Sequence, residues 1–284
     1  MSTLARLGAS LILTLAASSP AAAQISAGNP SGVAMGHVHF LARDVAATKA
    51  WWVKLGGEPV TVFGEEGVKF PGVLVLLRQG QPTGTSLDAV VAHLAFRVQS
   101  HAAIKAKGFT VEPNATVPGV GYIYNPDGEK VELFDDGVAT NTGFAIEGGG
   151  TDPVADRHNR KLDVPIASHH LHFYVTEDQV PAIRDWYATH FGGVRGKRWN
   201  YDAVDLPGMN LNFSAVPKPQ VPNKGRIIDH IGFEIENLEA FCRKLAAAGV
   251  KFDRPYAKLP SGLGAAYLTD PWGASIELHE GMRQ

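Results

Sequence analysis

The sequence predicts an α+β protein in which one βαβββ module occurs four times. Four short segments read His, an aliphatic residue, any residue and then Phe, and they begin at His37, His93, His170 and His230. Two longer segments read Tyr-x-x-(Asn or Asp)-Pro-x-Gly-x-x-x-Glu and end at Glu132 and Glu277. The order His, His, Glu therefore occurs twice along the chain, which indicates a duplicated unit.

Each His-containing segment predicts a strand that leads into a helix. After His37 the alternation of apolar and polar residues ends near Leu41, Asp44 can cap a helix over 45–55, and Gly56-Gly57 ends it. The same pattern predicts three further helices, over 102–107, 180–191 and 238–248. Apolar strands over 72–77 and 209–213, and closing strands on either side of the Pro- and Gly-containing turns, complete the modules.

The phase of the strands places the histidines and glutamates on one face. In each opening segment the aliphatic residue and the Phe share a face, which we expect to pack beneath the helix, so the first His points to the opposite, concave face. Val131 and Leu133 place Glu132 on that concave face, and the flanks of Glu277 do the same. One such His alone would be read as a hydrogen-bonded strand residue. Four in one phase, each pair followed by a phased Glu, favour a divalent-metal site with open coordination positions.

These motifs resemble the vicinal oxygen chelate superfamily, which includes glyoxalase I, bleomycin-resistance proteins and the extradiol ring-cleaving dioxygenases. The resemblance covers about residues 35–136 and 168–280 and implies four βαβββ modules paired into two open-barrel domains with those bounds. Residues 137–167 are rich in Gly and poor in apolar periodicity, which predicts a linker. By resemblance, one ion (Fe, Mn, Zn or Ni) has the ligands His37, His93 and Glu132, and a second has His170, His230 and Glu277.

The resemblance implies a small-molecule substrate whose neighbouring oxygens chelate the metal, and it leaves the reaction open. Tyr267, ten residues before Glu277, falls where extradiol dioxygenases keep a Tyr near the substrate, although a strand aromatic that fills the cup would also stand there. Those enzymes also carry a His seven to nine residues before that Tyr, and here the stretch is Lys258-Leu-Pro260. Lys258 or His172 would then have to transfer protons. The missing His favours glyoxalase-like lyase or isomerase chemistry.

Two non-catalytic classes stand beside the enzyme. A protein that sequesters a drug-like ligand predicts an aromatic cup without metal. A structural metal site requires a closed shell of four protein ligands, and the sequence supplies three obvious ones per site. Glyoxalase I usually adds a fourth, Glu or Gln, from the last strand of the first module of each pair, where this chain offers only Asn210 or Asn212 in its second half.

The bulk composition and the N-terminus bear on partners and location. The chain has 284 residues and a formal charge of −2 without a long basic run, which argues against a nucleic-acid partner. Residues 1–23 combine Arg6, an apolar run over 11–16 and small residues before Gln24, which predicts a signal peptide and export to the periplasm or the medium. No membrane association is expected after its removal, and homo-oligomer formation is left open. The single cysteine, Cys242, excludes an internal disulfide.

Overall fold

The computed structural model describes residues 25–282, so the predicted signal peptide lies outside the described residues. Four α-helices lie within them: α1 Val45–Leu55, α2 His101–Ala106, α3 Val180–Phe191 and α4 Leu238–Ala247. The strands in chain order are β1 Val33–Ala42, β2 Glu58–Val62, β3 Glu65–Phe70, β4 Val73–Gln79, β5 Val91–Val98, β6 Glu112–Pro113, β7 Val120–Tyr124, β8 Lys130–Asp135, β9 Ala145–Ile146, β10 Ile166–Val175, β11 Val194–Arg198, β12 Tyr201–Leu206, β13 Met209–Ala215, β14 Ile228–Ile235, β15 Arg254–Lys258, β16 Gly264–Thr269 and β17 Ser275–Glu280. No helix of this part of the chain is long and apolar enough to cross a membrane.

The helix boundaries follow local sequence signals. The Asp44 side chain accepts a hydrogen bond of 2.9 Å from the Ala47 amide at the start of α1. Gly192 ends α3 in the left-handed region, with φ of 69°, where a side chain would be strained. The predicted helices over 45–55 and 180–191 are confirmed at both ends, and α2 and α4 differ from prediction by one residue at an end or both.

The four modules form two open, mixed sheets, which confirms the predicted fold class. The first sheet has eight strands in the order β15-β16-β17-β14-β1-β4-β3-β2. The second has nine strands in the order β6-β7-β8-β5-β10-β13-β12-β11-β9. Each sheet therefore contains one module from each half of the sequence: the first and fourth modules share one sheet, and the second and third share the other.

The expected pairing of modules within each half of the chain is wrong. β1 pairs with β14 in antiparallel register, and β10 pairs with β5 in the same way. Modules of the same half meet instead through the core between the sheets. The ring centroids of Trp52 in α1 and Phe96 in β5 are 6.0 Å apart, and those of Phe191 in α3 and Phe233 in β14 are 4.7 Å apart. The ranges 35–136 and 168–280 describe the sequence repeat, and neither range forms a sheet of its own.

The segment 137–167 does more than link the repeats. Its strand β9 pairs with β11 at the edge of the second sheet. Phe144 and Ala155 pack against Ala203 of β12, and Ala155 begins a short 3₁₀ helix that ends at Asn159. This segment therefore closes one side of the second sheet.

Glu129, next to the turn before β8, provides a test of the packing between modules. Its carboxylate is buried, with Oε2 accepting a 2.9 Å hydrogen bond from the Ser86 amide and Oε1 lacking a partner. Burial raises the pKa of this carboxyl group from 4.5 to about 7. The stability that the neutral carboxyl provides is therefore present below pH 4.5 and is lost as the pH rises to about 7.

We expect Glu129→Gln to match the wild type at pH 4.5 and to be more stable at pH 8, by up to roughly 3 kcal/mol. Denaturant unfolding of metal-free protein at the two pH values measures the difference. The control is Glu58→Gln, since Glu58 is exposed on β2. An equal effect of Glu129→Gln at both pH values would contradict the assignment.

Candidate metal centres

Each sheet carries on its concave face one cluster of three buried histidines and one buried glutamate. Within each cluster, one donor atom per residue lies within 4.8 Å of every other. We call the cluster of the first sheet site I and that of the second sheet site II. Site I consists of His37, His39, His230 and Glu277, and site II of His93, Glu132, His170 and His172.

All six residues predicted as metal ligands lie in these clusters, but their predicted grouping is wrong. His37 meets His230 and Glu277, while His93 meets His170 and Glu132. The reason is the strand pairing, because β1 lies beside β14 and β10 lies beside β5. Each site thus takes ligands from both halves of the sequence.

Each site also contains a third histidine that the ligand prediction omitted. His39 stands two residues after His37 and His172 two residues after His170, and side chains two apart share a face. The His-x-His pattern was therefore a visible signal for a four-donor cluster. Four donors would close a tetrahedral site but leave two positions open in an octahedral one.

Site I is centred on the Glu277 carboxylate. Its Oε2 lies 3.3 Å from His37 Nε2 and 3.0 Å from His230 Nε2. The Tyr267 hydroxyl donates a 2.8 Å hydrogen bond to the other oxygen, Oε1. His39 stands opposite His230 in the β1–β14 ladder, with ring centroids 4.4 Å apart, and neither of its ring nitrogens has a hydrogen-bond partner.

A second layer of acceptors lies behind two of the site I rings. His230 Nδ1 is 2.8 Å from an Asp229 carboxylate oxygen. His37 Nδ1 is 3.2 Å from His279 Nε2, and His279 Nδ1 is 2.6 Å from a Glu234 oxygen. Such partners fix the ring orientation, as in known metal sites, and at His37 they leave the Nε2 lone pair for an ion.

The charges of site I favour a bound cation. Burial lowers the pKa of His37 to about 4 and that of His39 to about 2, so both rings are neutral near pH 7. Burial opposes ionisation of Glu277, but the hydrogen bond from His230 and the nearby His37 ring outweigh it and hold the pKa of the carboxyl group below its usual range. Burial also opposes protonation of His230, but hydrogen bonds to Asp229 and Glu277 raise its pKa. Unpartnered nitrogens beside a buried carboxylate fit a divalent metal ion.

Site II repeats the inner arrangement with different surroundings. Glu132 Oε2 lies 3.3 Å from both His93 Nε2 and His170 Nε2, and His172 Nε2 is 2.6 Å from the Ser214 hydroxyl. A cavity of about 100 Å³ opens onto it. The aromatic residues that line it are Tyr122, Phe134, Tyr174, Trp199 and Tyr201, and the polar ones outside the cluster are Asn114, Lys130, Asn141, Arg198 and Asn212.

The three predicted catalytic residues do not form one set. Tyr267 lies at site I, where burial raises the pKa of its phenol and keeps it protonated. His172 belongs to site II and therefore faces a different cluster. Lys258 is exposed on β15, outside both clusters and outside the lining of the site I cavity. Of the two asparagines, Asn212 lines the site II cavity with an unpartnered Oδ1, whereas Asn210 bonds to Asp205 and Arg198.

Comparisons with known proteins find relatives of the same fold. Residues 167–278 match the model of the Glyoxalase/Bleomycin resistance protein/Dioxygenase superfamily. The crystal structure of glyoxalase I from Zea mays is 15% identical, with a TM-score of 0.60 over 87% of this chain and 92% of that chain. A provisionally named dioxygenase from Bacillus subtilis is 16% identical, with a TM-score of 0.57 over 91% of this chain and 86% of that one. At these identities the likeness shows the fold alone. A search of curated proteins gave no match.

We expect Glu277→Gln to weaken metal binding at site I by more than about 100-fold, because it removes the only carboxylate among the four donors. Elemental analysis after equilibrium dialysis against a divalent metal measures the loss. The matched control is Glu280→Gln on the same strand, since Glu280 accepts a hydrogen bond from the Asn237 amide and lies outside the cluster. Unchanged metal content of the Glu277 variant would reject the ligand assignment.

Proposed function

We propose, from the match of residues 167–278 to the model of the Glyoxalase/Bleomycin resistance protein/Dioxygenase superfamily, that this chain is a divalent-metal-dependent enzyme acting on a small molecule with neighbouring oxygens. Its reaction is a glyoxalase-like isomerisation or lysis. The observation that carries the proposal is the convergence at site I of three imidazoles and one carboxylate, with acceptors behind two of the rings. A divalent ion held by His37, His230 and Glu277 supplies Lewis-acid polarisation of two adjacent substrate oxygens.

His39 is assigned the proton transfer. A histidine that ligates a metal almost always donates its other ring N–H to an acceptor. His37 and His230 have such partners, whereas neither nitrogen of His39 makes a hydrogen bond, and Nε2 lies 3.6 Å from a Glu65 carboxylate oxygen. The ring of His39 is neutral and lies on the same concave face, so it can take a proton from a carbon next to the polarised oxygens and return it.

Tyr267 holds Glu277 in place. Its hydroxyl donates to Oε1, which leaves Oε2 directed at the two imidazoles. The raised pKa of Tyr267 keeps this hydrogen bond intact across the neutral range. We therefore assign Tyr267 a positioning role.

The substrate is proposed to be anionic. A cavity of about 170 Å³ reaches His230 and Tyr267, and three cationic side chains line it, those of Arg78, Lys224 and Arg254. Asp253 is the one acidic residue in that lining. A carboxylate-bearing molecule with vicinal oxygens suits this cavity, because the basic side chains that line it attract the negative charge toward the metal site.

A second candidate is ring cleavage by a dioxygenase. Two histidines and one carboxylate are the ligand set of non-haem Fe(II) oxygenases. The sequence lacks a His in the stretch 258–260, but His39 places a neutral, buried imidazole inside site I. That observation removes the main argument against the oxygenase, so oxygen consumption has to distinguish the two reactions.

Export is proposed together with the activity. Arg6, the apolar run over 11–16 and the small residues before Gln24 support a cleavable signal peptide. The expected mature protein begins at Gln24 and meets its substrate in the periplasm or the medium. Intact-mass measurement of the protein from the native cell fraction decides this, and an uncleaved N-terminus would reject it.

To test the activity, metal-free protein is loaded anaerobically with Fe(II), Mn(II), Zn(II) or Ni(II) and offered α-oxoaldehyde thiol adducts and carboxylated catechols. We expect metal-dependent turnover of the adducts without oxygen uptake. His39→Gln should lower kcat by about 10²–10⁴-fold while metal content is retained. His172→Gln, the same change at site II, is the control.

Three results would revise the proposal. Turnover that is independent of metal would reject it. Loss of metal in the His39 variant would make His39 a ligand. Catechol turnover with stoichiometric oxygen uptake on aeration would favour the dioxygenase.

A further inference from the structure

The two sites are built alike at their centres but differently behind the histidine rings. We call the residues that contact the backs of the histidine rings, directly or through another residue, the support residues. When His93 is aligned with His230 and Glu132 with Glu277, the support residues of site I correspond to chemically different residues in site II. Asp229 corresponds to Ala92, Glu234 to Arg97, and His279 to Phe134. The three groups that accept or relay hydrogen bonds at site I thus correspond to two apolar residues and a cation.

At site I a chain of hydrogen bonds runs from His37 through His279 and ends at the Glu234 carboxylate. Glu234 also accepts hydrogen bonds from the Gly281 and Met282 amides, so it presents only acceptor oxygens to His279. In a neutral ring His279 then carries its proton on Nδ1 and accepts through Nε2. His37 consequently donates from Nδ1, and its Nε2 lone pair faces the cluster centre.

Gly36 makes room for this chain. A Cβ at position 36 would lie 2.4 Å from His279 Nε2, so no side chain can stand there while His279 backs His37. In the third module the corresponding residue is His169, which backs His170 from its own strand instead. The two sites therefore use different residues to support the first histidine of the cluster.

At site II the support chain ends in a cation. Arg198 is fully buried, and its guanidinium contacts His169 Nε2 and His158 Nδ1, as well as the carbonyl oxygen of Thr142. A guanidinium can only donate, so it favours a lone pair on His169 Nε2 over the competing bond from that nitrogen to Thr142. His169 then carries its proton on Nδ1, 3.0 Å from His170 Nδ1. This order leaves the His170 proton on Nε2, pointing at Glu132.

The second ring of site II, that of His93, has no partner behind it. His93 Nδ1 is buried without a partner, and Ala92 stands where Asp229 holds the corresponding nitrogen at site I. The hydrogen bond of His93 within the cluster joins Nε2 to Glu132. Both inner rings of site II can therefore donate to the carboxylate through the nitrogens that an ion would need.

We infer that the two sites are not equivalent: site I takes the divalent ion first, and the Arg198–His169 pair at site II holds His170 in the tautomer that excludes it. Arg198 is thus a positioning residue that acts on the ion through two histidines. The first clause of this inference rests on the proposed metal dependence of site I. The tautomer of His170 is a property of the metal-free protein and can be measured separately.

The first experiment is titration of metal-free protein with Co(II), followed by calorimetry and by the d–d absorption of the ion. We expect one tight ion per chain, lost in Glu277→Gln and retained in Glu132→Gln. Arg198→Gln should tighten binding of a second ion by about 10–100-fold, and Glu132→Gln combined with it should abolish that gain. Two ions of equal affinity in the wild type would overturn the inference, as would a folded Arg198 variant without the gain.

Because Arg198 is buried, its replacement can unfold the protein, and a second measurement keeps the test decisive. Long-range ¹H–¹⁵N spectra of the metal-free wild type report which ring nitrogen of each histidine carries the proton. We expect Nδ1–H at His37 and Nε2–H at His170. An Nδ1–H tautomer at His170 would overturn the inference. If no ion binds at either site, the proposed metal dependence fails, and the tautomers still decide the role of Arg198.

Discussion

The antiparallel pairing of β1 with β14 is the constraint on which the first site depends. This ladder sets His39 opposite His230 and His37 opposite Gly232. Residue 232 must be a glycine for the His37 ring to fit, because a Cβ at that position would lie 2.1 Å from His37 Cε1. Because one strand belongs to each half of the sequence, site I exists only when the halves are assembled. The corresponding β10–β5 ladder builds site II and sets His172 opposite His93.

Two kinds of contact hold the halves together. Main-chain hydrogen bonds join modules of different halves, while the aromatic core between the sheets joins modules of the same half. The concave faces carry buried carboxylates, which need the surrounding imidazoles, the Tyr267 hydroxyl at site I and a bound ion to offset the cost of burial. The fold thus separates its apolar core from its reactive groups by the alternation of side chains along the same strands.

The helices, the strands and the faces of the site residues could be predicted from the sequence, because the patterns that determine them are local. Strand alternation fixed the faces of His37, His230 and Glu277, and caps such as Asp44 fixed helix starts. The pairing of modules was not readable, because any of the His-containing strands can pair with another through the same main-chain groups. The groups behind the rings depend on that pairing: Asp229 precedes its histidine in sequence, but His279 and Arg198 reach their partners only in the folded chain.

One divalent ion is expected to join the first and fourth modules at site I. A crystal grown with Co(II) and measured at the cobalt absorption edge locates the ion directly by its anomalous scattering. We expect the strongest peak about 2.0–2.2 Å from His37 Nε2, His230 Nε2 and a Glu277 oxygen. A peak that joins His37 to His93, or no peak between β1 and β14, would contradict the account.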